Sequence, residues 1–212
     1  MNNLPRIDRR TAIKWMLAAS ATMAIDPRFA RAESAAAPSG KGYGTDPDLM
    51  RHYKPGELWP LTLSEAQRRT AAALCDIIIP ADEHSPAASQ VGMVDFIDEW
   101  ISAPYQEQQN DRKVVLPGLA WIDEEATKRF GHPFAELSEA NKAAICDDLC
   151  SSAKAKPEFK QPAKFFAVFR NLTAGGFYTT PAGMKDLRYV GNVPLASFDG
   201  PPPEALKHAG LL

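Results

Sequence analysis

The sequence predicts an all-α fold: a compact, irregular domain of about five helices with a long extended C-terminal segment. Three observations lead there. Between Leu61 and Leu172, apolar residues recur at three- and four-residue spacing. Capping residues and helix stops punctuate those stretches. No run of alternating apolar and polar residues indicates a sheet, and no internal repeat is evident. The 212 residues, 45% of them apolar, suffice for one domain with a real core, and 24% charged residues argue against global disorder.

The first element, residues 1–32, reads as an export signal. Arg9 and Arg10 open the run R-R-T-A-I-K, the twin-arginine form of such signals. The apolar stretch Trp15 to Ile25 is too short to span a bilayer, which takes about 20 helical residues. Ala30-Arg31-Ala32 supplies an A-x-A cleavage site, with Ala30 and Ala32 as its small residues and Glu33 as the mature N-terminus. These 32 residues hold six basic and two acidic groups, leaving 18 basic against 24 acidic groups, a net charge of −6. A mature chain of that sign has no electrostatic footprint for nucleic acid or anionic lipid. The expected location is the periplasm, with any membrane association made through a complex.

Residues 33–60 form a flexible, then extended leader, rich in Ala, Ser, Pro and Gly up to Tyr43 and carrying turn chemistry in "KPGELWP". The helical domain, 61–174, follows. Thr62 or Ser64 caps a helix running to Ile79, with Leu63, Ala66, Thr70, Ala73, Leu74 and Ile77 on one face and Pro80 as its stop. "ADEHSPAAS" is a loop. Val91 to Ile101 is a second helix, and Pro117-Gly118 opens a third that Gly131 ends. Ser138 caps a fourth, and Pro162 sits in the first turn of a fifth that carries Phe165, Phe166, Phe169 and Leu172. Residues 175–212 are rich in Gly and Pro. One helical turn fits at Pro181 to Leu187, and the rest is expected to be extended and irregular. That strip still carries Phe177, Tyr178, Tyr189, Val190 and Phe198, and cannot build a core of its own. These five are the candidate partner-binding residues.

The search for chemistry yields no catalytic, cofactor-binding or metal-binding constellation. "GKGYG" at Gly40 to Gly44 lacks the strand and helix that give a dinucleotide loop its function. "SSAK" lacks the partner motifs of an S-x-x-K enzyme. Asp82, Glu83 and His84 are consecutive, so their side chains diverge, and "DEE" at Asp123 to Glu125 reads as the outer face of the third helix. Cys75, Cys146 and Cys150 make an odd count. Helical spacing suits Cys146 and Cys150 poorly for a bond to each other. Two readings stay open for them: buried apolar thiols, or an interchain disulfide to a partner subunit.

Three stretches together resemble one family. "LCDIIIPADEHSPAASQVGMVDFIDEWI" (Leu74 to Ile101), "GLAWIDEEATKRFGHPFAELSEANKAAI" (Gly118 to Ile145) and "FRNLTAGGFYTTPAGMKDLRYVGNVPLASFDGPP" (Phe169 to Pro202) are similar, in order, to the gluconate 2-dehydrogenase subunit 3 family. The resemblance covers Leu61 to Pro203. It implies a small helical subunit without a cofactor of its own, bound to a large FAD-carrying dehydrogenase of the glucose–methanol–choline type. A c-type cytochrome often serves as third subunit. It also implies sugar, sugar-alcohol or sugar-acid substrates, and a large subunit that travels on the small one's export signal. The chain is therefore expected to be no enzyme by itself but part of an oxidoreductase complex acting on CH–OH groups. The alternative is a free-standing periplasmic chaperone or binding module.

Overall fold

The computed structural model describes residue 42, residues 50–151, 153, 155–189, 191, 194, 196–197 and 200–212. Among them lie seven α-helices, three short 3-10 turns and no strand. The helices are α1 (Glu65–Ile78), α2 (Met93–Ser102), α3 (Gln106–Phe130), α4 (Glu139–Leu149), α5 (Lys160–Phe177), α6 (Pro181–Asp186) and α7 (Pro203–His208). The five longer ones form the domain. α3 and α5 pack most extensively, and α1, α2 and α4 close around them.

α1 begins where its capping chemistry places it. The Gln67 amide donates to Ser64 Oγ (3.3 Å), and the Ser64 amide donates to Gln67 Oε1 (2.9 Å). Two donors that the helix itself cannot satisfy are thereby paired. Thr70, Ala71, Leu74 and Cys75 are its buried residues, whereas Ala66 faces solvent. In the following loop Asp82 Oδ1 accepts from the amides of His84 and Ser85, both at 2.8 Å. These two bonds hold the Asp82 carboxyl below its ordinary range. Asp82 is a turn former here. A 3-10 turn, Ala88–Val91, is tied back to α1 by the Ser89 amide and hydroxyl on Asp76.

α3 departs from the sequence expectation. It starts at Gln106, eleven positions before Pro117, which lies inside the helix and is buried. An interior proline removes one helical hydrogen bond and normally costs about 3 kcal/mol. The next residue, Gly118, lets α5 approach closely: the Phe165 ring lies directly on its backbone, where a Cβ would overlap it. The first turns, "QEQQNDRK", carry no apolar stripe, so periodicity could not report them.

Ser138 caps α4 by accepting from the Asn141 amide at 3.3 Å. α5 runs past Leu172, through Gly175 and Gly176, to Phe177. A Cβ on Gly176 would sit 2.7 Å from Phe96 Cδ1 and 2.8 Å from Met93 Sδ. This glycine marks a close helix crossing, whereas the sequence reading took it as the start of irregular structure. The interior is built from Leu74, Ile97, Ile101, Leu119, Ile122, Phe134, Ile145, Leu149, Phe165, Phe169 and Phe177. Each such side chain contributes about 1.5–3 kcal/mol on burial.

The C-terminal part is more helical than expected. α6 matches the anticipated turn, with the Thr180 hydroxyl accepting from the Gly183 amide (3.0 Å) and Pro181 in its first turn. α7 corrects the extended assignment after it. Pro203 sits at its first position, where a proline's fixed φ favours the helix.

Candidate functional site

Three features could carry function: a buried clasp, an aromatic groove and the surface around α6. The clasp centres on Asp98, which is fully buried on α2. Its Oδ1 accepts from the amides of Thr62 (2.9 Å) and Leu63 (3.0 Å) and from the Ser102 hydroxyl (3.3 Å). Its Oδ2 accepts from Arg68 Nη1 at 2.9 Å, and Arg68 also pairs with Asp95. The bond to Asp95 and the two carboxylate charges raise the Arg68 guanidinium further above its ordinary value, against some desolvation. Both Asp98 oxygens are occupied, and this cluster fastens the 51–63 arm to the helices.

The groove, about 270 Å³, is lined by Trp59, Phe96, Glu99, Trp100, Ala103, Tyr105 and Gln108. Trp59 and Tyr105 meet edge to face at 6.1 Å. Trp59 Nε1 donates to the Glu99 carbonyl (3.0 Å), Trp100 Nε1 donates to Asp111 Oδ2 (2.9 Å), and the Gly56 amide donates to Glu99 Oε2 (2.8 Å). Its lining includes no serine, cysteine or histidine.

The partner-binding candidates separate. Phe177 is 0% exposed and belongs to this domain's own core, which corrects its assignment to an outward surface. Tyr178 (36%) and Tyr189 (58%) are exposed. Leu187 and Arg188, which are not among the five candidates, are exposed beside Tyr189. Nothing in the string "LRY" distinguishes it from a solvated turn until its backbone is known. Val190 and Phe198, and the export-signal residues Arg9, Arg10, Ala30 and Ala32, lie outside the described residues.

The cysteines also separate. Cys146 is 5% exposed and packs in the core, and burial, with Asp147 and Cys150 beside it, pushes its thiol up to about 12. That placement removes it as a surface candidate for an interchain disulfide. Cys150 is exposed, with Sγ 3.3 Å from the Asp147 carbonyl. Cys75 is buried with Sγ 3.7 Å from Thr173 Oγ1, and burial raises it likewise to about 12. All three thiols are free within the chain.

Asp123 and Glu125 are not simply an outer face. Asp123 accepts from the Thr70 hydroxyl (2.8 Å) and the Phe134 amide (3.0 Å), and buried Glu125 accepts from Arg129 Nε at 2.6 Å. Among the described residues, no group of three or more His, Cys, Asp or Glu side chains could hold a metal. Nor is any of their helices long and apolar enough to cross a membrane.

The family model for gluconate 2-dehydrogenase subunit 3 matches residues 65–200. The chain belongs to that family. The match begins at the first residue of α1 and takes in every helix except α7, so the membership concerns the whole folded domain. No curated protein and no solved structure matches the chain. A gluconate 2-dehydrogenase subunit 3 is by its description one subunit of an oxidoreductase complex, so a surface for other subunits is required of this chain.

Proposed function

We propose that this chain is a non-catalytic small subunit that binds and stabilises a large FAD-dependent dehydrogenase of the glucose–methanol–choline type. In this reading it also carries the twin-arginine signal that exports the pair to the periplasm. The complex would oxidise a sugar, sugar alcohol or sugar acid, and a c-type cytochrome subunit would take the electrons. FAD belongs to the partner. The family membership over residues 65–200 carries the proposal. The arginine pair Arg9-Arg10 adds the export role, because that route carries folded, cofactor-loaded cargo. A partner that binds only the native state stabilises it by mass action, by about 2.7 kcal/mol at a hundredfold excess over Kd.

The test is a double substitution, Arg9→Lys with Arg10→Lys, in cells that also express the flavoprotein. Both chains should remain in the cytoplasm, and periplasmic dehydrogenase activity should disappear. A flavoprotein that still reaches the periplasm would sink the escort role.

A further inference from the structure

The aromatic groove sits where the chain turns from α2 into α3, and one of its walls is Tyr105. Two distant stretches of the chain meet on that ring. Trp59, on the arm, meets it edge to face at 6.1 Å. Gly42, half-buried, lies against its hydroxyl end: a Cβ there would stand 2.8 Å from Tyr105 Oη, 3.1 Å from Cζ and 3.2 Å from Cε1. A side chain at that position would displace the ring. The backbone of Gly42 has φ +71°, in the left-handed region that glycine enters without steric cost. The contact and the backbone are separate constraints, and both ask for glycine at the same place. The wall is itself fixed at the start of α3, where the Gln109 amide donates to the Tyr105 carbonyl at 3.0 Å.

From this contact we infer that the groove is the seat of the chain's own leader, with the glycine-rich stretch 40–44 as its occupant. The lining matches that segment in chemistry as well. It is mostly aromatic and holds one carboxylate, Glu99. On either side of Gly42 the sequence offers a ring and a cation, Tyr43 and Lys41. Aromatic rings pair edge to face or offset, and a glycine backbone lets such faces come close. The leader is also tethered to the groove through the arm, so its effective concentration there is high and no second molecule is needed to cover the face. The groove is then part of this chain's own fold and not a surface for another subunit.

Trypsin cuts after Lys41, so it reads the seat directly. The full chain is digested under native conditions, and cleavage at Lys41 is followed by mass spectrometry beside a synthetic peptide of residues 36–48. The wild-type bond should be cut about tenfold or more slowly than the peptide's. Gly42→Val sets a branched side chain against Tyr105 on a left-handed backbone, and Tyr105→Leu removes the ring. Each should bring the Lys41 rate to within a small factor of that of its matching peptide. Gly42 lies outside the helical domain, so the circular dichroism of Gly42→Val should be that of wild type, which separates a lost seat from a lost fold. Wild-type cleavage at the peptide's rate would overturn the seat, and so would protection that survives both substitutions. Protection that grows with protein concentration would assign the groove to a second copy instead. Protection that arises only on co-purification with another subunit would assign it to that subunit.

Discussion

Asp98→Ala should unlatch the N-terminal arm from the helical domain. The wild-type carboxylate is fully buried and accepts four hydrogen bonds, two of them from the backbone of Thr62 and Leu63. Removing it leaves the Arg68 guanidinium without its inner partner and strands two buried backbone donors. Stranding these two donors, at about 1–3 kcal/mol each, together with the lost Arg68 bond, costs about 3–5 kcal/mol. Set against a total stability of about 5–15 kcal/mol, that is a large fraction. For a chain of this size it corresponds to a fall in Tm of about 6–20 °C, at ~2–4 °C per kcal/mol. Asp95→Ala is the matched control, since Asp95 pairs with the same arginine while its side chain is 47% exposed. Its loss should cost at most about 1 kcal/mol. Urea unfolding followed by circular dichroism gives both values, and hydrogen exchange at the Thr62 and Leu63 amides reports the arm. Equal, mild effects for the two aspartates, or unchanged exchange at those amides, would refute the clasp.

Adjacent glycines should respond oppositely. Gly176→Ala meets Phe96 and Met93 and should cost about 1–3 kcal/mol in urea unfolding, whereas Gly175→Ala meets nothing within 4 Å and should stabilise by about 0.4–1 kcal/mol. In native protein only Cys150 should react quickly with a thiol reagent, with Cys75 and Cys146 becoming reactive on unfolding; fast labelling of all three would contradict the burial. Burial raises Cys75 and Cys146 from 9.0 to about 12, so the folded state holds these protons longer than the unfolded state. Their contribution to stability is therefore fully present below pH 9.0 and declines between 9.0 and about 12, by up to about 1.4 kcal/mol per pH unit for each thiol. A Cys75→Ala, Cys146→Ala double variant should show a correspondingly flatter alkaline limb. Ser138→Ala should lower stability by about 1 kcal/mol through loss of the α4 cap, read as a shifted urea midpoint.

The sequence exposes those parts of the fold that rest on local chemistry. Ser64 and Ser138 declare two helix starts because a side-chain oxygen near the chain end is all that a cap requires. Pro80 and Gly131 likewise declare two ends. Pro117-Gly118 and Gly175-Gly176 mislead for a common reason: both are read as helix boundaries, and at Gly118 and Gly176 another helix comes too close for a side chain. Only the partner element, Phe165 in one case and Phe96 in the other, reveals that. The same limit governs the surface. Phe177 and Tyr178 are neighbours of similar character, yet one completes a core and the other faces solvent, according to how α5 ends. The left-handed backbone of Arg188, at φ 53°, is likewise announced by no residue type.

The clasp has a mechanical consequence. A pull applied through the 51–63 arm reaches the helical bundle at the clasp. The load is then divided among the Gly56 and Trp59 bonds to Glu99 and the paired amides on Asp98, all of which belong to α2. Because α2 is wedged between α1, α3 and α5, a tug from that end is borne by the whole bundle at once and does not peel off a terminal helix.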